Sequence, residues 1–247
     1  MSLAPTLFDH LLAAVLVGIL PWEGLRAWRR LKIALDGDEA AARVRTYRRA
    51  ILKLWGLAGI LLVGWLTLGR GLPELGLASP SGWTSWAILG GAGLLSAFQF
   101  GQVRALREHP EALDSVRDQL QRLRPMLPST VRERRWFSGL GVNAGITEEL
   151  LFRGFLLAYL ASFVGVWPAV FLSSVAFGMG HLYQGGPGSV LKTGTIGLVL
   201  AILYVASGQL WAPILLHAVL DVSSGWAAFL ASEAETASVN AVGGAAS

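Results

Sequence analysis

Six ionisable side chains lie within otherwise apolar stretches in the second half of the 247-residue chain. They are Glu148, Glu149, Arg153, His181, His217 and Asp221. A charge inside a lipid bilayer costs free energy unless it is paired, so ionisable residues in membrane-spanning segments are candidates for function. Glutamate and histidine are also common donors and acceptors of protons in catalysis. The set therefore indicates hydrolytic acid–base chemistry.

The segment TEELLFRG, residues 147–154, places Glu149 and Arg153 four residues apart. On a helix these two side chains share a face and can form an ion pair. Glu148 lies about 100° away around the helix and is left without that partner. A carboxylate without a partner in a low-dielectric medium suits a general base or acid. The alternative is that both glutamates and the arginine only lock helices together.

Two histidines supply the other half of the candidate site. His181 follows Phe177 by four residues in FGMGH, and His217 precedes Asp221 by four residues in HAVLD. A single histidine in a span is often only an interhelical hydrogen bonder, but Asp221 can fix the tautomer of either ring. At 1.5 Å per helical residue, Glu148 and both histidines can meet in the middle third of a bilayer.

The three motifs together resemble the type II CAAX prenyl proteases and their bacterial relatives, the CPBP or Abi intramembrane peptidases. The pattern of that family is two adjacent Glu with an Arg four after the second, a Phe with a His four later, and a His with Asn or Asp four later. The same order occurs here on separate predicted spans, and the resemblance covers about residues 137–231.

The resemblance implies an endopeptidase in which Glu148 and His181 activate a water molecule for attack on a peptide carbonyl. It implies that His217 and Asp221 stabilise the resulting oxyanion. Glu149 and Arg153 would organise the site, and Glu149 is also a candidate for direct participation.

Position 221 differs from the relatives that carry Asn there. An ionised Asp cannot donate a hydrogen bond to an oxyanion, so Asp221 would have to be protonated or act by orienting a histidine.

The expected cofactor is none, with Zn²⁺ as the alternative. Glu148, His181 and His217 could supply three ligands to zinc with water in the fourth position. A His-Glu-x-x-His helix is absent from the sequence, and the two histidines lie on separate predicted spans. The metal-free mechanism is therefore preferred. Cysteine is absent, which excludes a cysteine nucleophile and a thiolate metal site.

These residues need membrane-spanning helices to position them. The chain is 53% hydrophobic and 15% charged, with a mean hydropathy of +0.54, whereas a soluble domain carries about 25% charged residues. A span needs about 20 apolar residues, and it must be helical because lipid offers no partner for backbone amides. Seven spans are predicted, with an eighth or re-entrant segment as the alternative, near 5–25, 50–69, 83–103, 137–160, 167–185, 190–207 and 209–230.

Basic residues concentrate in two of the predicted loops. Of 20 Lys and Arg, nine lie between Arg26 and Lys53 and eight between Arg104 and Arg135. This distribution is typical of cytoplasmic loops and predicts a prokaryotic inner-membrane protein with its N-terminus outside. It argues against nucleic acid as a partner. Both loops also contain predicted amphipathic helices, one over Leu25–Arg49 and one marked by Leu113, Val116, Leu120, Leu123 and Leu127.

The sequence thus predicts an all-α polytopic helix bundle in three regions. Residues 1–136 form a three-span membrane region, residues 137–231 a four-span catalytic core, and residues 232–247 a short disordered tail. The predicted function is an intramembrane endopeptidase that hydrolyses a membrane-associated or lipid-anchored peptide or protein substrate in the bilayer. The alternatives are a non-enzymatic membrane scaffold or bacteriocin-immunity protein of the same fold, and a proton-coupled carrier.

Overall fold

The computed structural model describes residues 4–244, and within that range the ordered elements are helices without a strand. The predicted all-α class is confirmed. The ten α-helices are α1 (Leu7–Ala14), α2 (Leu20–Ala34), α3 (Glu39–Thr67), α4 (Gly82–Ala105), α5 (Pro110–Leu120), α6 (Val131–Glu149), α7 (Ala158–Val164), α8 (Val166–Gly180), α9 (Pro187–Ser207) and α10 (Trp211–Gly244).

Two π-helical turns make longer continuous helices out of these elements. Val15–Ile19 joins α1 to α2, and Leu150–Leu157 joins α6 to α7. A π-turn is a local insertion in an α-helix and is frequent at functional sites. The second one begins directly after Glu149, so it alters the direction in which the following side chains point.

Among the described residues, four helices are long and apolar enough to cross a membrane: Leu7–Ala34, Glu39–Thr67, Pro187–Ser207 and Trp211–Ala237. The chain is therefore an integral membrane protein. Each of the seven predicted spans lies in a helical part of the structure, and the count of seven stays a prediction. Two boundaries differ from expectation, since the first helix continues to Ala34 and α8 ends at Gly180.

The predicted amphipathic segments are interrupted. The first is split because α2 ends at Ala34 and α3 begins at Glu39, where the Asp38 side chain accepts a hydrogen bond from Ala41 N at 3.0 Å. In the second, α5 ends at Leu120 and a 3₁₀ helix follows over Gln121–Met126. That 3₁₀ helix contains a proline, whose missing N–H does not allow an α-helix to continue.

The C-terminal helix extends beyond the last predicted span. Helix α10 runs to Gly244, and the disorder of the tail 232–247 stays a prediction. Its residues Ala227, Leu230 and Ala231 pack with Val103 and Leu113 in one apolar cluster. Burial of this face against α4 and α5 explains why the helix extends past the predicted span. Residues 245–247 lie outside the described part of the chain.

Close packing of α6 on α10 brings the candidate residues together. Gly141 and Gly145 lie one helical turn apart on the face of α6 that meets α10, and a Cβ atom on Gly145 would lie 2.7 Å from Ala218 N. A Cβ atom on Gly141 would lie 2.9 Å from the Cβ of Asp221. Small residues at such positions allow two helix backbones to approach in a membrane.

A bulky side chain at this contact should separate the two helices. We expect Gly145→Leu to lower the free energy of unfolding by at least about 2 kcal/mol, because the added atoms overpack a backbone contact. The measurement is the unfolding transition of the purified protein in detergent, followed by circular dichroism. Gly139→Leu is the matched control, since its Cβ would have open space on the same helix. Equal losses in the two variants would contradict this account of the α6–α10 contact.

Candidate active site

A single buried carboxylate oxygen connects two of the motifs. Glu149 Oε1 accepts a hydrogen bond from Arg153 Nη1 at 2.7 Å and one from His217 Nδ1 at 2.7 Å. The side chains of Glu149 and Arg153 are 0% and 1% exposed. The predicted ion pair between them is confirmed. The contact with His217 adds a link from α6 to α10 that spacing in the sequence did not indicate.

Arg153 lies in the π-helical turn and contacts residues of α6, α8 and α9. Its Nη2 donates to the carbonyl oxygen of Gly197 at 3.0 Å, and its guanidinium carbon lies 4.2 Å from the centre of the Phe177 ring. A side chain on Gly197 would collide with both, since its Cβ would lie 3.0 Å from Arg153 Nη2 and 2.9 Å from Phe177 Cδ1. The buried cation thus ties α9 and α8 to the helix that carries the glutamates.

Glu149, rather than Asp221, sets the orientation of the His217 ring. Because Nδ1–H donates to Glu149, the other nitrogen of the ring is turned to the remaining carboxylates. Nε2 lies 4.0 Å from Glu148 Oε2 and 3.8 Å from Asp221 Oδ2, and neither distance is a hydrogen bond. The expectation that Asp221 fixes a histidine tautomer through a hydrogen bond is therefore wrong for His217.

His181 lies at the end of a helix instead of inside one. It follows Gly180, the last residue of α8, and its Nδ1–H donates to the carbonyl oxygen of Phe177 at 2.9 Å. The chain then reverses, with Gly186 at φ 77°, a conformation that glycine adopts without a steric penalty. The helix thus ends at Gly180, before the end of the predicted span 167–185, and a turn over 182–186 follows. The depth of His181 in the bilayer stays a prediction.

Glu148 faces both imidazoles. Its Oε2 lies 3.9 Å from His181 Nε2 and 4.0 Å from His217 Nε2. This oxygen is buried and accepts no hydrogen bond from residues 4–244. The three predicted residues are therefore brought together, at distances longer than a direct hydrogen bond.

The three side chains open onto a cavity of about 460 Å³. Asp221 also lines it, with 42% of its side chain exposed. The front half of the chain, for which the sequence suggested no role in chemistry, forms much of the wall. Its contributions come from α2, α3 and the segment 119–127, and the apolar ones from α2 and α3 include Leu20, Ala27, Trp28, Leu31, Tyr47, Ala50 and Leu54. Polar and charged side chains of this half also line the cavity: Thr46, Lys53, Gln119 and Arg122.

Glu148, His181 and His217 share one feature with a zinc site but differ from it in their distances. Both histidines turn Nε2 towards Glu148 and bind an acceptor through Nδ1, which is how metal-binding histidines are usually held. Ligand atoms around tetrahedral zinc lie about 3.4 Å apart, whereas the two oxygen–nitrogen distances here are 3.9 and 4.0 Å. Among the described residues, no group of three or more His, Cys, Asp or Glu is placed to hold a metal ion. The residues as arranged do not fit zinc, and we derive no step through it.

Comparison with known proteins agrees with the motifs. Residues 133–223 match the family described as type II CAAX prenyl endopeptidase Rce1-like. The human protein named CAAX prenyl protease 2 is 31% identical over 102 residues, which cover 34% of this chain and 31% of the human protein. The chain thus matches about a third of the length of that relative. No solved structure matches significantly. The resemblance to the CAAX protease family is confirmed.

The two adjacent glutamates should differ in their effect on stability. We expect Glu149→Gln to lower the free energy of unfolding by about 3 kcal/mol, because it leaves the buried Arg153 without its counter-charge. Glu148→Gln should change stability little, since its nearest charged atoms are 3.9 Å away. Unfolding of the two variants in detergent provides the comparison. A larger loss in Glu148→Gln would contradict the roles given to the two carboxylates.

Proposed function

We propose that this chain, whose residues 133–223 match the family described as type II CAAX prenyl endopeptidase Rce1-like, is an intramembrane endopeptidase. The observation that carries the proposal is the position of Glu148 Oε2, which faces the Nε2 atoms of His181 and His217 at 3.9 and 4.0 Å. An acid and two imidazoles around one point of a cavity wall are suited to the hydrolysis of an amide bond.

In the proposed mechanism, Glu148 and His181 activate the attacking water molecule. A water molecule at about 2.8 Å from both Glu148 Oε2 and His181 Nε2 satisfies hydrogen-bond geometry. Since His181 donates through Nδ1 to Phe177, its Nε2 is free to accept a hydrogen bond from that water. When the water oxygen attacks the peptide carbonyl carbon, its proton passes to Glu148. The same proton is then available to the leaving amine.

Stabilisation of the oxyanion falls to His217. As the carbon–oxygen double bond opens, negative charge develops on the carbonyl oxygen, and preorganised donors there lower the barrier. To donate from Nε2, the His217 ring must carry a hydrogen on both nitrogens. The negative charge of Glu149, 2.7 Å from Nδ1, is favourable for that positive form. Asp221 lies close enough to contribute only if it is protonated.

The remaining two charges organise the site. Glu149 and Arg153 hold the His217 ring and connect α6, α9 and α10 without facing the cavity themselves. Preorganisation of this kind lets the donors act without a rearrangement during the reaction.

The walls of the cavity indicate the class of substrate. Apolar side chains of α2 and α3 line the approach to Glu148, as expected for a ligand that arrives from the lipid phase. We infer a peptide segment of a membrane-associated or lipid-anchored protein as the substrate. Lys53 and Arg122, from the two basic loops, also line the cavity. We infer from this that the mouth of the cavity lies on the cytoplasmic side of a plasma membrane.

Loss of the proposed base should abolish cleavage while the protein remains folded. We expect Glu148→Gln to lower kcat at least about a hundredfold on a lipid-modified peptide in proteoliposomes, since a neutral amide cannot take the proton of the attacking water. Glu111→Gln, a change of an exposed carboxylate on α5, is the matched control. Full activity in Glu148→Gln would rule out this mechanism.

The zinc content of the purified protein and the effect of a chelator distinguish the metal-free mechanism from a metal-dependent one. We expect the purified active protein to contain less than stoichiometric zinc and to keep its activity after dialysis against a chelator. Stoichiometric zinc together with loss of activity on its removal would replace the proposed mechanism by a metal-dependent one.

A further inference from the structure

Tyr183 lies in the turn that follows His181 and has no part in the mechanism above. The turn is the 3₁₀ segment Leu182–Gln184 between α8 and α9. The Tyr183 ring is stacked with the His181 ring, with centroids 6.1 Å apart and planes at 26°. Tyr183 also lines the cavity that contains Glu148 and Asp221. Tyr183 is therefore part of the wall of the chamber that contains the proposed reacting groups.

Helix α2 fixes the position of this ring. The Trp28 ring lies 6.0 Å from it, centroid to centroid. A Cβ atom on Gly24 would lie 3.1 Å from Tyr183 Cδ1, so the absence of a side chain there lets α2 approach the turn. The front half of the chain thus supports the turn that carries His181 and Tyr183.

The hydroxyl hydrogen of Tyr183 is not used within the described structure. Its oxygen accepts a hydrogen bond from Gln184 Nε2 at 3.3 Å, and no acceptor for its hydrogen lies in residues 4–244. Four other hydroxyls of the same cavity donate to main-chain carbonyls: those of Thr46, Tyr47, Ser189 and Ser224. Tyr183 differs from these four in keeping its hydrogen available to a ligand.

The protonation state of the Tyr183 phenol allows it to donate a hydrogen bond. The ordinary pKa of a tyrosine phenol is about 10. The phenol therefore keeps its hydrogen at neutral pH. Asp221 has the opposite property when it is ionised, since a carboxylate accepts hydrogen bonds and cannot donate them. With Asp221 ionised, His217 would be alone in donating to the oxyanion.

We propose that Tyr183 is a further catalytic residue, whose O–H donates a hydrogen bond to the oxyanion alongside His217. It supplies the donor that Asp221 lacks. The inference rests on the proposed function and goes beyond it, because it assigns a second oxyanion donor to the turn after α8. No proton is transferred in this step, and the hydrogen stays on the phenol oxygen.

The test compares substitutions that keep the ring and remove only the hydroxyl. Tyr183→Phe should lower kcat about a hundredfold with KM unchanged, as loss of one oxyanion donor does. Tyr204→Phe is the matched control, since Tyr204 does not line the cavity. Adding Asp221→Asn to Tyr183→Phe should restore about tenfold of the lost kcat, because the amide of Asn can donate where Asp cannot. The substrate is the same lipid-modified peptide in proteoliposomes.

The outcomes separate this inference from the proposed function. Activity in the wild-type protein, loss in Glu148→Gln and full activity in Tyr183→Phe would overturn the role of Tyr183 alone. A double variant no more active than Tyr183→Phe would also overturn it, since a purely structural role of the ring predicts no rescue by an amide at position 221. Full activity in Glu148→Gln would instead remove the proposed function on which the inference rests.

Discussion

The structure depends on one buried carboxylate oxygen that accepts hydrogen bonds from two partners. Glu149 Oε1 accepts 2.7 Å hydrogen bonds from Arg153 and His217, and Arg153 in turn donates to Gly197. Removing two or three charges from water is expensive, and the mutual attraction offsets that cost only when the geometry is good. Since α6, α9 and α10 all contribute to this group, their relative placement is fixed by it. The His217 ring is orientated as a consequence, and the second nitrogen faces Glu148.

Glu148 and Glu149 are adjacent in the sequence but have different roles, because their side chains point in different directions. Glu149 points into the packed interior, where its Oε1 accepts hydrogen bonds from Arg153 and His217. Glu148 points to the cavity, and its Oε2 has no hydrogen bond from the described residues. Gly141 and Gly145 make this division possible, because they let α10 come close enough for His217 to contact both carboxylates. The front half of the chain completes the chamber through α2 and α3. The close contact of α6 with α10, the hydrogen bonds of Glu149 and the shape of the cavity thus depend on one another.

The sequence predicted much of this arrangement because helical spacing is a local property. Pairs four residues apart, such as Glu149 and Arg153, follow from the geometry of one helix. The helical class and the meeting of Glu148 with both histidines followed from hydropathy and depth. What the sequence could not indicate were contacts between distant segments and local breaks in helices. The bond from Glu149 to His217 spans 68 residues, and the π-turn after Glu149 and the early end of α8 at Gly180 depend on packing.

The central claim is that a tetrahedral reaction centre forms between Glu148 and His217. Its most direct test is an experimental structure of the protein with a peptide phosphonamidate, a stable mimic of the tetrahedral intermediate. The account predicts one phosphoryl oxygen within hydrogen-bond distance of Glu148 Oε2 and His181 Nε2, and the other within that distance of His217 Nε2. A phosphonamidate bound elsewhere in the cavity, with Glu148 turned away from both oxygens, would contradict it.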